Sequence, residues 1–314
     1  DVGKSSGSYG KNAYSVAEMV YDKEILDLLP LLDDPDTYVQ EALYTHLIAM
    51  GTPALEQLES IRKEGGMEEG VYAIEKMIET LREGLKFEKL EQWIAHPEED
   101  LLAGLCLIQD ILTEDVDLQS LREIMMECVT EVLLEIRDDQ TIMENVKLFN
   151  HVFFNRLHFF TIDPMFSQPK NTFIHEVLNK RKGSPVAVGF IYLMLAYQTG
   201  VRIGGRLFKG GFLPAVLDRD GNVLFYVNVF KNGLLFPHRE LEVFLKDMNL
   251  QIPVESFRDA QPEDLAQIYA ETLLFSFSAL EKESYANEIS KLTRILALFG
   301  RENTMLIEMD DDEE

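Results

Sequence analysis

Two cysteines and six histidines are the side chains of this 314-residue sequence that are best suited to thiol chemistry or metal binding. Cys106 lies in LLAGLCLIQDIL and Cys128 in IMMECVTEVLLEI, and both are surrounded by apolar residues at helical spacing. A cysteine in such a setting is usually a small buried hydrophobe, and a disulfide or a reactive thiol is the alternative. We therefore expect two buried thiols.

The histidines do not have the spacing of a metal site. His151 and His158 are seven residues apart, whereas a chelating pair on a helix needs a separation of four. The other four stand alone, at positions His46, His96, His175 and His238. We expect packed or surface histidines, with neither a metal ion nor a cofactor.

Positive charge is concentrated in one part of a strongly acidic chain. The sequence has 29 Lys and Arg against 55 Asp and Glu, a formal net charge of −26. Between residues 170 and 217 it has seven cations and a single acid, Glu176. The seven are Lys170, Lys180, Arg181, Lys182, Arg202, Arg206 and Lys209. This cation cluster predicts an anion-accepting site, unless the cations pair with the acidic helical half or with the terminal EMDDDEE.

The overall charge limits the class of partner. A net charge of −26 repels nucleic acid phosphates and anionic membrane surfaces, so we expect neither as a partner. The longest apolar run with helical character, residues 186–197, is too short to cross a bilayer, and no signal-like apolar segment opens the sequence. The sequence therefore predicts a soluble, cytoplasmic protein.

The first structured region, residues 18–140, has apolar residues at i, i+3, i+4 spacing, which predicts helices throughout. Within it, ILDLLPLLDDPDTYVQEALYTHLIAMGTPALEQLESI predicts helices around a DDPD turn, with Gly51 ending one helix and Pro53 starting the next. This stretch resembles one HEAT-type repeat. Residues 1–17 indicate a flexible arm or a remnant of cloning, and residues 301–314 an acidic tail.

The second structured region, residues 141–300, has a mixed pattern. Helical periodicity in TIMENVKLFNHVFFNRLHFF, FIHEVLNKR and PVAVGFIYLMLAYQ is followed by the beta-like runs VRIGGRLF, GFLPAVL, NVLFYVNVF and LLF. The segment DRDG, residues 218–221, is a hairpin signal between two of these runs. Two helices, roughly residues 262–280 and 284–299, close the region. Helices followed by an antiparallel sheet predict an α+β fold.

Ser184 is the hydroxyl at the start of the most apolar predicted helix, in RKGSPVAVGFIYLMLAYQTG. A serine followed by a proline is the usual pairing of a helix-capping hydroxyl with a proline at the first helical position. We therefore expect Ser184 to cap the helix, and a serine nucleophile is the alternative. The small residues Ala187, Gly189 and Ala196 predict close packing of this helix against the sheet.

Four motifs between residues 149 and 245 point to a known family. They are FNHVFFNRLHF, DPMFSQPKNTFIHEVLNKRKGSPVAVGFIYLMLA, GVRIGG and FYVNVFKNGLLF. Together they resemble the bacterial transglutaminase-like family of the SirB type. The resemblance implies a transglutaminase-like (papain-like) α+β core with a small antiparallel sheet, preceded by an all-α HEAT-like helical array.

Active relatives in the wider superfamily use three residues. A cysteine at the helix N-terminus is the nucleophile, a histidine on the adjacent strand is the base, and an Asp or Asn on the next strand orients the histidine. The resemblance places the cysteine at Pro185, the histidine at Gly210 or Gly211, and the third residue at Asn228. Because proline and glycine can perform neither role, the resemblance implies a core without its nucleophile and base.

The sequence therefore predicts a non-enzymatic binding or scaffold protein with a protein partner or an anionic ligand, and its acidic helical region favours a basic partner. The alternative is a repurposed pocket that acts as an anionic small-ligand sensor or a non-thiol hydrolase. The candidate ligand-binding residues are Ser184, Arg206, Lys209, Tyr226 and Asn228. A third hypothesis is capture of a peptide by strand addition at an open sheet edge.

Overall fold

A computed structural model gives the fold of the chain. The structure describes residues 22–64, 71–97, 100–113, 116–137, 139–162, 168–247, 250, 252–253, 256–280 and 282–300. The arm predicted at residues 1–17 and the acidic tail predicted at 301–314 lie outside these ranges. The chain divides into two compact units between Leu85 and Lys86. The predicted limits of the helical region and the core, at residues 18–140 and 141–300, stay predictions.

The first unit is helical, as the sequence predicts. It contains α1 (Lys23–Leu28), α2 (Thr37–Met50), α3 (Thr52–Glu64) and the first part of α4 (Val71–Ala95). At the end of α2, Gly51 has a φ of +69°, a backbone conformation that favours glycine. Pro53 lies in the first turn of α3, where its missing N–H costs no hydrogen bond. The HEAT-like character of this unit stays a prediction.

The second unit combines helices with a five-stranded antiparallel sheet. Its further helices are α5 (Leu101–Leu112), α6 (Leu118–Leu133), α7 (Ile142–Asn150), α8 (Ile174–Lys180), α9 (Pro185–Gln198), α10 (Leu241–Asp247), α11 (Pro262–Ser278) and α12 (Ala286–Phe299). Two short parallel strands pair separately, β1 (Phe160–Thr161) and β2 (Lys182–Gly183). The sheet contains β3 (Ile203–Phe208), β4 (Gly211–Leu217), β5 (Val223–Asn228), β6 (Leu234–Phe236) and β7 (Arg258–Asp259). The predicted α+β fold with a small antiparallel sheet is confirmed.

The strand order of the sheet is β6–β5–β4–β3–β7. The runs that predict β3 to β6 match the observed strands to within two residues at either end, and the predicted hairpin at 218–221 joins β4 to β5. Strand β7 has no sequence signal, because it consists of two exposed charged residues without alternation. It adds to the edge of the sheet by pairing Asp259 with Arg206 and Arg258 with Leu207.

Helix α9 lies in the core of the second unit. It is apolar on every side, and its residues from 187 to 196 are all buried, which is the pattern of a core helix. A Cβ on Gly189 would lie 2.9 Å from a ring carbon of Phe212 on β4. This confirms the predicted close packing of α9 against the sheet at that glycine.

The two faces of the sheet bury different residues because side chains alternate along each strand. Ile203, Leu207 and Val227 belong to the same core as α9. On the opposite face, Leu213 and Tyr226 belong to a second core, which α10 covers. The sheet therefore lies between two apolar layers.

The aromatic segment after residue 141 is not one regular helix. Helix α7 ends at Asn150 and continues as a π-helix, His151–Arg156. The hydroxyl of fully buried Tyr192, on α9, donates to Asn150 Oδ1 at 2.6 Å, and Asn150 Nδ2 donates to the Gly233 carbonyl oxygen at 2.9 Å. Asn150 therefore connects α7, α9 and the turn before β6 through one side chain.

No helix within the described ranges has the length and apolar character needed to cross a bilayer. The cytoplasmic location of the protein stays a prediction.

Replacing Tyr192 by phenylalanine is expected to lower the free energy of unfolding by about 1–3 kcal/mol, because Asn150 Oδ1 loses its buried donor. Urea unfolding monitored by circular dichroism measures this change. The matched control is Tyr38→Phe, since the Tyr38 side chain is exposed. Equal stability of the two variants would contradict the assigned role of the Tyr192 hydroxyl.

Candidate functional site at the start of helix α9

Helix α9 begins with a capped first turn. Ser184 has extended backbone angles, and the Ala187 N–H donates to Ser184 Oγ at 3.3 Å. The hydroxyl of buried Thr172 also donates to Ser184 Oγ, at 3.0 Å. Pro185 follows as the first helical residue. The predicted capping role of Ser184 is confirmed by this geometry.

The turn between β3 and β4 brings two glycines to the same region. Phe208 pairs with Gly211 at the end of the hairpin, and Lys209 and Gly210 form the turn. Gly210 has a φ of +98°, a conformation that L side chains rarely adopt. Because glycine adopts this conformation without strain, the backbone alone accounts for a glycine at position 210.

Asn228 ends β5 with its side chain almost fully buried, at 7% exposure. Its Oδ1 accepts the Lys231 N–H at 3.1 Å and so caps a short 3-10 helix, Val229–Lys231. This bond fixes the orientation of the side-chain amide, because the oxygen must face the donor. The amide nitrogen is therefore the end that remains for other contacts.

A cavity of about 110 Å³ brings together all four positions that the resemblance assigns to the catalytic residues. Pro185, Gly210, Gly211 and Asn228 all line it. The remaining lining residues are apolar and include Phe208, Phe212, Leu213, Val229, Phe244 and Leu250. None of the described lining residues carries a charge. We call this space the α9 cavity.

The comparisons with known proteins agree with this geometry. Residues 119–273 match the transglutaminase-like superfamily. A transglutaminase-like domain is therefore present. The chain is also 23% identical over 189 residues to a UPF0162 protein of Vibrio cholerae serotype O1. The aligned segment covers 60% of this chain and 67% of that protein. No solved structure matches the chain. Assignment to the SirB type stays a prediction.

The other candidate ligand-binding residues of the transglutaminase-like domain do not line the α9 cavity. Arg206 forms an ion pair with Asp259, and its Nη2 donates to the Gly221 carbonyl oxygen at 2.8 Å. The Tyr226 hydroxyl lies 3.4 Å from His238 Nδ1. Lys209 is exposed, and Ser184 lies next to the lining residue Pro185. The structure therefore brings only Asn228 of the five to the cavity.

Several members of the cation cluster have partners within the second unit. Lys180 pairs with Glu176, and this ammonium holds the pKa of the Glu176 carboxyl below its usual range. Arg181 donates to Cys128 Sγ at 2.7 Å, and its guanidinium lies 4.8 Å from the centre of the Phe159 ring. Lys180, Arg181 and Arg206, three of the seven cations, are therefore engaged within this unit.

No described histidine is among the residues that line the α9 cavity. His175 contacts Gln109, and His151 Nδ1 forms a hydrogen bond of 3.0 Å with Asn155 Nδ2. Within the described ranges, no three His, Cys, Asp or Glu side chains come close enough to hold a metal ion.

A larger cavity, of about 260 Å³, lies near the other end of α9. Leu193, Met194 and Gln198 line it together with Gly205 and Pro262. It contains none of the predicted catalytic positions. We therefore place the candidate site at the smaller cavity, where the superfamily positions meet.

Sequence reasoning missed most of the α9 cavity wall. Phe208, Phe244 and Leu250 read as ordinary core residues, and they come from three separate segments of the chain. No local spacing links a residue at the end of β3 to residues on or after α10. Only the folded sheet and its covering helix bring them together.

Substitution of Ser184 by alanine is expected to lower the free energy of unfolding by about 0.5–2 kcal/mol, because the Ala187 N–H and the Thr172 hydroxyl lose their acceptor. Thermal and urea unfolding measure the loss. Ser120→Ala is the control, since Ser120 is an exposed helical serine. A Ser184 variant as stable as this control would argue against the cap.

Proposed function

We propose that the transglutaminase-like domain acts by binding and not by catalysis, which makes the chain a non-enzymatic binding or scaffold protein. One observation carries the proposal. Pro185 occupies the start of α9, where thiol-based acyl transfer needs a thiolate, and the described lining of the cavity has only Pro, Val, Gly, Phe, Leu and one Asn. None of these side chains serves as a nucleophile or a general base.

The contacts of Ser184 support the proposal against a serine hydrolase. A serine nucleophile needs a base within hydrogen-bond reach of its hydroxyl. Ser184 Oγ instead accepts hydrogen bonds from Ala187 and Thr172. Among the described residues, no histidine or carboxylate bonds to it. Its hydroxyl is thus engaged in the start of the helix.

The two cysteines also support the proposal. Both are buried and free. Burial raises the pKa of the Cys106 thiol to about 12, and burial raises the pKa of Cys128 despite the opposing effect of the Arg181 guanidinium. A raised pKa leaves little thiolate at neutral pH, and the thiolate is the nucleophile.

The alternative of an anionic-ligand sensor has weaker support from the geometry. Arg206 is engaged by Asp259 and by the Gly221 carbonyl, and Lys209 is not among the cavity residues. A carboxylate in the α9 cavity would meet apolar walls, and none of the described lining residues is a cation, so its burial is costly. The binding function that we propose therefore does not depend on the cation cluster.

Fluorophosphonate probes, which label activated serines, are expected to leave the purified chain unmodified. Intact-mass spectrometry reads the result, with an active serine hydrolase in a parallel tube and the Ser184→Ala variant as controls. The expectation follows because, among the residues that the structure describes, Ser184 Oγ bonds to no base. An adduct on Ser184 that the alanine variant lacks would overturn the non-enzymatic proposal.

Alkylation by iodoacetamide at neutral pH is expected to be slow in the folded chain and fast in urea. At a pKa of about 12, the thiolate fraction of Cys106 is roughly a thousand times smaller than that of an exposed cysteine. Peptide mass spectrometry assigns each site, and Cys106→Ala and Cys128→Ala separate the two rates. Rapid labelling of either thiol in the folded chain would show a reactive cysteine and contradict the non-enzymatic proposal.

A further inference from the structure

The chemistry of the α9 cavity indicates what kind of molecule fits it. Its walls are aromatic and aliphatic, from Phe208, Phe212, Leu213 and Phe244 among others. An apolar body gains free energy by leaving water for such walls. The ligand should therefore be mainly apolar.

One polar group interrupts these walls, the side-chain amide of Asn228. Its Oδ1 is occupied by the Lys231 N–H at 3.1 Å, so the Nδ2 group is the end free to donate. Within the described part of the chain, Nδ2 donates to no atom, although the residue is only 7% exposed and lines the cavity. The side chain is largely buried, but its Nδ2 atom keeps some exposure and has no described protein partner, so a ligand with a hydrogen-bond acceptor can satisfy it.

The start of α9 offers little to an anion. Pro185 has no N–H, and the Ala187 N–H is taken by Ser184 Oγ. Among the first three helical residues, only Val186 retains a backbone donor without an assigned partner at the cap. No cation lines the cavity in the described ranges, and the chain carries a net charge of −26. A carboxylate or phosphate would therefore lose its hydration without a compensating charge.

The volume of the cavity sets the size of the ligand. An engineered apolar cavity of about 150 Å³ in another protein binds benzene. The α9 cavity, at about 110 Å³, has room for a five-membered ring or a branched chain of similar size.

We propose that the α9 cavity binds a small neutral molecule with an apolar body and one carbonyl acceptor, held by the Asn228 Nδ2 donor. This inference rests on the proposed binding function and names the chemical class of its ligand. It assigns Asn228 a role in binding, whereas the superfamily uses that position to orient a histidine.

The test uses the full chain with ¹³C-labelled leucine and valine methyl groups, observed by NMR. The probes are cyclopentanone, which has the ring and the acceptor; cyclopentane, which has the ring alone; and isobutyrate, which is an anion. Methyl groups of Val186, Leu213 and Val229 report on the cavity. Cyclopentanone is expected to shift them and to bind about 2- to 10-fold more tightly than cyclopentane, the ratio typical of one hydrogen bond. Isobutyrate is expected to leave them unchanged.

Two variants test the Asn228 Nδ2 donor and the volume of the α9 cavity separately. Asn228→Asp keeps an acceptor for the Lys231 N–H but removes the Nδ2 donor, so the preference for the ketone over the hydrocarbon should disappear. Val186→Phe fills the cavity from a partly exposed position, so neither ring should bind. The methyl spectrum of each variant also reports whether it is folded.

Three results in which a probe binds would overturn the inference. They are an unchanged ketone preference in Asn228→Asp, probe shifts that persist in folded Val186→Phe, and shifts of the cavity methyls by isobutyrate but not by cyclopentanone. If no probe binds the wild-type chain and Ser184 remains unlabelled by fluorophosphonate, this inference fails and the non-enzymatic proposal stands. Labelling of Ser184 would instead remove the proposal on which the inference rests.

Discussion

Helix α9 is apolar on every side, so the free energy of burying it is gained only when neighbours cover its whole surface. The sheet contacts it through β3 and β4, and α6, α8 and α11 contact it as well. Gly189 allows the approach of Phe212 to this helix. The Tyr192 hydroxyl finds an acceptor in Asn150, which avoids an unpaired polar group in the core. Helices and strands of the second unit thus pack around α9 together.

The same helix fixes the position of the candidate site. Ser184 and Pro185 define where α9 begins, and the ends of β3, β4 and β5 meet that point. The positions that the family resemblance assigns to the catalytic residues therefore meet at the α9 cavity. The side chains at these positions serve the fold, since Ser184 caps α9 and Asn228 caps the turn after β5.

Several cations of the basic segment are engaged within the fold. A count along the sequence gives a basic segment within an acidic chain. In the fold, Lys180 pairs with Glu176, and Arg206 pairs with Asp259 from an edge strand that is distant in sequence. Arg181 donates a hydrogen bond to Cys128 Sγ, and its guanidinium lies over the Phe159 ring. The number of like charges in a segment therefore says little about the charge that remains for a ligand.

The sequence by itself determined the features that depend on neighbouring residues. The Ser184 cap, the buried helix α9, the hairpin at 218–221 and the runs that became β3 to β6 all follow from local spacing and backbone preference. The family resemblance also placed Pro185, Gly210, Gly211 and Asn228, which the fold brings to one cavity.

Only the tertiary structure decided the features that depend on distant segments. The π-helix after Asn150 occurs within an aromatic cluster, and β7 forms because the edge of β3 is available to Arg258 and Asp259. The apolar wall of the cavity joins the ends of strands to α10 and Leu250. Each of these depends on contacts between residues far apart in the chain, and periodicity carries no information about such contacts.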